Sequence, residues 1–304
     1  MSQQSQSKTI IFVASMSIVC ALVLSALSGA LRKRVSDNKR DDAKKSILDS
    51  FLVIKYSDEK AIKGKELPFI LENSVKKDGV NKHFEEFINT RLITEKGEDI
   101  TENTDRLGKI KPDEIFLHKS VKDEKDLKDA KRSDIRLPLI IHFKNVDGKK
   151  VVDAIGIQIW GKGLWGPING YLTLEYKDKE GKIDLRTIRG ITFLGDHKET
   201  PGLGKEMERE DWRIQFHGKK THDKDGVLRS VTVIKGLVAG SKYDAEKEHY
   251  MDGLAGSTLT CNGITEMLSR CVGYYQKYFD HVRSGKIKID TLLPKGKSEK
   301  PEGK

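Results

Sequence analysis

Paired cysteines are missing from this chain. Of its three cysteines, Cys20 falls in an apolar run, while Cys261 and Cys271 fall in one predicted helix, about 15 Å apart along its axis. They cannot bond to each other while that helix stands, so no disulfide framework supports the globular part. Metal signatures are absent as well. The eight histidines form no H-E-x-x-H, no C-x-x-C-H and no paired-cysteine spacing, which leaves zinc and c-type haem without support. No G-x-S-x-G or other nucleophile elbow occurs, so hydrolysis has no case. A net charge of +10 invites a nucleic-acid partner, but its lysines are scattered among 46 acids and no helix-turn-helix or zinc-finger spacing accompanies them. Nucleic acid is therefore not expected as a partner.

What the chain does have is length, charge and one apolar run. Its 304 residues suffice for one main domain. Charged residues make up 34% and mean hydropathy is −0.54, unlike a multi-span membrane protein. Against that background "TIIFVASMSIVCALVLSALSGAL", residues 9–31, carries no charge. As a helix it reaches about 34 Å, enough for a hydrocarbon core of about 30 Å. It is longer than the apolar region of a cleaved signal peptide, so a retained anchor in membrane lipid is expected. Val19 is too large for a lipoprotein cleavage signal before Cys20. Lys8 alone precedes the span, whereas Arg32, Lys33, Arg34, Lys39, Arg40, Lys44 and Lys45 follow it. By the positive-inside rule the following domain would stay in the cytoplasm.

The texture of the sequence divides the rest. Residues 1–8 are a short tail, and 32–134 form a charged helical and insert region. Its stretch "KSVKDEKDLKDAKRSD" reads as a solvated face. From Ile135 strands begin: "IRLPLIIHF" and "VVDAIGIQIW" flank Asp147-Gly148, a strong hairpin turn. "INGYLTLEY", "RTIRGITFL" and "VLRSVTVIKG" follow as further strands. Ile264, Leu268, Cys271, Val272, Tyr275, Phe279 and Val282 then repeat at steps of three and four, an amphipathic helix. Residues 135–284 are thus one domain, and 285–304 a basic, disordered tail. The expected fold class is α+β, with one transmembrane helix and an antiparallel sheet flanked by helices.

Three stretches could carry chemistry. "GKGLWG", residues 161–166, matches G-x-G-x-x-G, but Pro167 and a strand follow where a dinucleotide site needs a helix. It remains a glycine-rich turn whose Leu164 and Trp165 could cover a flat ring. "HKETPGLGKE", residues 197–206, could bring backbone close to a ligand at Gly202 and Gly204, or be a plain connection. "YMDGLAGSTLTCNGITEML", residues 250–268, sets Gly253, Ala255, Gly256, Ser257, Thr258 and Thr260 at a helix start behind Asp252. Free amides there attract anions, so the segment is a phosphate cradle, a covalent attachment point, or a helix capped by Ser257 or Thr258.

Taken in order and spacing, "GKGLWGPINGYLTLE", "ETPGLGKE" and "DGLAGSTLTCNGI" resemble the family of C subunits of the sodium-translocating NADH:quinone oxidoreductase, as does the single N-terminal span. The resemblance covers the anchor and residues 135–283; the region 57–133 is long for the family. It implies FMN joined through its phosphate to a threonine in the pattern Asp-Gly-x-Ser/Thr-Gly-Ala-Thr. Laid on this chain the acceptor is Thr258, with Ala255 where Ser or Thr is usual and Ser257 where Ala is usual. Ser257 becomes a rival acceptor and Thr260 an outsider. The resemblance further implies that Leu164, Trp165 and the loop Glu199, Thr200, Gly202, Leu203 and Gly204 flank the isoalloxazine. Asp252 is then part of the motif read by a flavin transferase that uses FAD as donor. The implied partners are the other subunits of the complex. The implied location is the bacterial inner membrane, single-pass, with the domain on the periplasmic side, against the charge count. The related flavin subunit of the ferredoxin:NAD oxidoreductase complex shares these features, and an anchored binding protein without flavin is the rival of another class.

Overall fold

The structure is a computed structural model, and it describes residues 3–72, 76–103, 110–118 and 135–294. The chain divides into two compact units, Met1–Asp42 and Ala43–Lys304. The first unit is helical. It belongs to α1, Gln3–Ser50, whose most apolar stretch has a mean hydropathy of 2.7 with no part of it buried. By length and composition this helix can cross a membrane.

The second unit opens with the last turns of α1, followed by α2, Glu59–Ile62, and α3, Lys77–Phe87. Five strands then form one antiparallel meander: β1 Ile88–Thr94, β2 Arg136–Val146, β3 Lys149–Lys162, β4 Pro167–Glu175 and β5 Ile188–Phe193. Asp147 and Gly148 join β2 to β3 with φ of 50° and 75°, the left-handed pair that a tight hairpin demands and that Asp-Gly supplies. β4 and β5 are buried along nearly their whole length because both faces of the sheet are covered. One face packs on α5, Thr258–Arg283, through Cys261, Ile264, Met267, Leu268, Cys271 and Tyr275. The other buries Ile140, Ala154 and Tyr171 under Ile47 and Leu48 of α1, Phe51 just after it, and Val80 and Phe84 of α3. A short helix, α4 Glu210–Arg213, and a two-stranded parallel ribbon, β6 Thr232–Val233 with β7 Tyr250–Met251, complete the unit.

Three sequence boundaries move. The domain does not begin at Ile135: β1 pairs along β2 from Ile88↔His142 to Thr94↔Arg136, so part of the charged region supplies an edge strand. Its scattered Phe84, Ile88, Ile115 and Phe116 are core residues. Nor does the fold end at residue 284, because Ile289 is fully buried and Tyr176 donates to Asp290 Oδ2 at 2.9 Å. The strand expected in "VLRSVTVIKG" shrinks to two residues, since Ser230 (φ 61°) and Gly236 (φ 88°) turn the chain on either side. The stretch 119–134 and residues 295–304 of the tail lie outside the described residues.

Candidate functional site

The three candidate stretches meet at the start of α5. "GKGLWG" closes the β3–β4 hairpin, with Lys162 opposite Pro167 and Gly163 N–H donating to Gly166 C=O at 2.8 Å. Gly263 lies so close beneath this turn that a Cβ on it would fall 2.0 Å from Lys162 O. Glycine there is what lets the helix pass under the turn. The loop 197–206 enters from the other strand pair. Its Gly204 leaves no room for a side chain, because a Cβ would sit 2.4 Å from Glu199 Oε2 and 2.9 Å from Thr260 Oγ1.

Glu199 joins all three. Its carboxylate is only 5% exposed, accepts from Trp165 N–H at 3.0 Å and from Thr260 Oγ1–H at 2.5 Å. Glu199 N–H in turn donates to His197 Nδ1 at 3.1 Å, and His197 Nε2 contacts Glu208 Oε1 at 2.6 Å. Sequence reading put Glu199 at a ligand's edge; the structure buries it as a brace.

The helix start itself is uncapped. Ser257 occupies the N-cap position, yet no side chain bonds the first amides, and the first helical bond is Cys261 N–H to Ser257 C=O at 2.9 Å. The amides before it have no intrahelical acceptor. The three hydroxyls differ sharply. Ser257 is 5% exposed and its Oγ donates back to Ala255 C=O at 3.3 Å. Thr260 is 1% exposed and held by Glu199. Thr258 alone is exposed, and it lines a cavity of about 420 Å³.

That cavity is walled by Gly253, Leu254, Ala255, Gly256, Thr258, Cys261 and Asn262 on one side and by Val233–Leu237 on the other. Asp252 builds the junction between them. Its Oδ1 accepts from Val238 N–H at 2.8 Å, and its carbonyl accepts from Trp212 Nε1–H at 2.9 Å. Gly253 packs so tightly that a Cβ would meet Ile234 O at 2.2 Å. Lys235 lines the cavity, and among the described residues its ammonium makes no hydrogen bond or ion pair. A cavity with an exposed hydroxyl, free helix amides, glycines and an unpaired cation suits a phosphate. Beside it Cys261 is buried, and burial raises its thiol pKa above the usual range, so it serves as packing.

The sequence pattern does not mark Lys235 and Leu237 as walls: Lys235 falls in the segment expected as a strand, and Leu237 directly after it. The available signal was the glycine bracket of "KGLVAG", which a strand interior disfavours. Leu164, Trp165, Thr200, Gly202, Leu203 and Gly204 do not line this cavity. Leu203 does touch the helix start, since a Cβ on Gly256 would lie 2.8 Å from its Cδ2. Trp165 at 62% and Leu237 at 67% exposure are large apolar side chains turned to solvent, and single exposed residues of this size suit contact with a flat apolar partner.

Comparison with known proteins agrees with the geometry. The model of the FMN-binding domain family matches residues 163–273, which runs from the β3–β4 turn into α5. The C subunit of the Na(+)-translocating NADH-quinone reductase of Pseudomonas aeruginosa is 27% identical over 289 residues, spanning 93% of this chain and 98% of the relative. Its counterpart in Chlamydia trachomatis reaches 37% over 134 residues, 41% of this chain and 40% of the relative. The crystal structure of the counterpart from Parabacteroides distasonis superposes with a TM-score of 0.56 at 26% identity, covering 82% of this chain and 96% of that one. An α+β domain with an antiparallel sheet, the convergence of three motif stretches on one helix start and similarity along nearly the whole chain point one way: the protein is similar to the C subunits of Na(+)-translocating NADH-quinone reductases, and its residues 163–273 match the FMN-binding domain family.

Proposed function

We propose that this chain is the membrane-anchored flavoprotein subunit of a sodium-pumping NADH:quinone oxidoreductase and that it holds FMN through a phosphoester to Thr258. The observation that carries the reading is the contrast among hydroxyls: Thr258 is open to the cavity while Ser257 and Thr260 are buried and bonded. Attachment forms a bond from Thr258 Oγ to the flavin-side phosphorus of FAD and breaks the pyrophosphate. AMP leaves with the bonding pair, and the threonine proton passes to a base of the flavin transferase. Lys235 and the free amides of α5 would neutralise the remaining phosphate charge. FMN supplies the electron-transfer chemistry when bound. The chain supplies position through Asp252, Gly253 and Gly256, and an apolar border through Leu164, Trp165, Leu203 and Leu237.

The apolar part of α1 anchors the chain in lipid, and the other subunits of the complex receive the electrons. We place the domain on the periplasmic side of a bacterial inner membrane, as the motif resemblance implies and against the basic cluster after Leu31, since the positive-inside rule loses force for large downstream domains. Co-expression with a flavin transferase followed by denaturing electrophoresis under ultraviolet light tests the linkage. A fluorescent band that survives Thr258→Ala would contradict it. A reporter fused after Lys286 tests the side, and cytoplasmic activity would refute the placement.

A further inference from the structure

Trp212 stands outside the three motif stretches, yet it holds one of them in place. It is 5% exposed and packs between Phe193 and Phe216, the latter edge-on with ring centroids 5.4 Å apart. The next residue fixes its position. Arg213 Nη1 donates to Asp49 Oδ2 in the last turn of α1 at 2.9 Å and to Ile191 C=O at 3.0 Å. Its Nε donates to Glu208 C=O at 2.9 Å. α4 is thereby tied to both α1 and β5, and its indole N–H meets Asp252 C=O.

That carbonyl belongs to the same peptide unit as Gly253 N–H. The carbonyl and amide of a trans peptide point opposite ways on one rigid plane, and here both are engaged. Trp212 donates to the oxygen at 2.9 Å, while Gly253 N–H donates to Gly236 C=O at 2.8 Å. Gly236 is part of the cavity wall facing the Thr258 segment. Turning the plane to bring its oxygen to water would pull the amide off that wall. Nor can the plane slide, because a Cβ on Gly253 would already lie 2.2 Å from Ile234 O. Only residues 253–257 separate this plane from Thr258, and they close on themselves through Ser257 N–H to Leu254 C=O at 3.1 Å. Through one peptide the indole thus sets how far the wall stands from the acceptor hydroxyl.

We infer that Trp212 is a positioning residue for flavin attachment, keeping the cavity wall and the Thr258 segment in register through the Asp252–Gly253 peptide. The inference rests on the Thr258 reading above. A tryptophan that served only the core would do so through its ring, and its N–H would be dispensable to attachment.

Trp212→Phe keeps an aromatic ring between Phe193 and Phe216 and removes the donor. The experiment follows attachment by the transferase, with FAD, to the full-length, detergent-solubilised chain at a temperature below every variant's melt. The expected result is a kcat lowered about tenfold, the worth of one hydrogen bond. KM for the chain should stay unchanged, since the lost contact acts on placement and not on docking. Tyr275→Phe is the control. It also removes one donor to a backbone carbonyl, the 2.8 Å bond to Pro138 C=O, and is expected to melt lower yet load at the wild-type rate. A Trp212→Phe chain with wild-type kcat overturns the inference, and so does a Tyr275→Phe chain slowed to the same degree. If Trp212→Phe does not fold, benzothienylalanine incorporated at position 212 keeps the ring's size with sulfur in place of the N–H, and the same two outcomes decide. Peptide mapping that finds wild-type flavin on a residue other than Thr258 refutes the attachment reading, and the inference with it, without any change at Trp212.

Discussion

Thr260 Oγ1 lies 2.5 Å from Glu199 Oε2, a buried contact between residues 61 positions apart. It takes one of the three hydroxyls of the segment out of reach of any solvent-borne reagent, and it seats the first turn of α5 against the glycine loop. Thr260→Val removes the donor and leaves Oε2 without this partner. The expected cost is about 1–3 kcal/mol of stability, read as a lower denaturant midpoint, with flavin still attached at Thr258.

Selection among hydroxyls makes the second prediction. Thr258→Ala is expected to abolish covalent flavin and Thr258→Ser to retain it, because only an exposed hydroxyl at this position is needed. Ser257→Ala is expected to load like wild type, its Oγ being turned back to Ala255 C=O. Intact-mass spectrometry after co-expression with the transferase checks all three.

Lys235 faces the cavity of Thr258 from the opposite wall. Its ammonium is exposed, so its contribution to phosphate binding is modest, on the order of 1 kcal/mol or less. Lys235→Gln is expected to lower the initial rate of flavin attachment by about threefold, more at low ionic strength than at high. Lys235→Arg should restore it. Equal rates for all variants across a salt series would remove Lys235 from the site.

Gly263 passes beneath Lys162 with no space for a side chain. Here the obstacle is a backbone carbonyl, which cannot swing aside as a side chain does. Gly263→Ala is therefore expected to cost about 2–3 kcal/mol, despite alanine's better helix propensity. A thermal melt of the flavin-free protein gives the answer, and a rise in melting temperature would mean that propensity wins.

Acid should weaken the opposite face of the sheet. His83 Nε2 meets His142 Nε2 at 3.2 Å, and His142 Nδ1 meets Asp153 Oδ2 at 3.1 Å. Arg189 and Lys144 also bind Asp153. Burial, then the neighbouring His142, pushes His83 down to about 4. Burial likewise lowers His142, against the pull of Asp153. Burial works against the Asp153 carboxylate, but His142 and Arg189 outweigh it and hold its pKa below the usual range. The histidines are thus neutral when folded and titrate near 6.5 when unfolded. The unfolded chain takes up protons first, so this contribution is complete above pH ~6.5 and is lost as pH falls toward ~4, on the order of 2 kcal/mol. His83→Gln keeps a donor for His142 but cannot titrate, and should flatten the urea midpoint between pH 7 and pH 4.5. An unchanged slope would count against the pair.

The sequence by itself determined the elements whose cause is local. Asp147-Gly148 dictates its hairpin through two left-handed backbone positions. The three- and four-residue spacing from Ile264 to Val282 dictates a helix with one buried face. The charge-free run 9–31 dictates a helix able to span lipid. The motif resemblance singles out Thr258, but it leaves Ser257 and Thr260 as chemically similar hydroxyls. Only the tertiary structure separated them, because burial and a partner such as Glu199 come from chain that is distant in sequence. The same holds for β1, whose seven residues sit in a charged stretch and join the sheet through pairing with β2. It holds too for Ile289, which looks like part of a basic tail until the core of the domain covers it. Local pattern fixes what a segment can become. Burial depends on which distant surfaces come to lie on it, and that sets which hydroxyl stays exposed and where the fold stops.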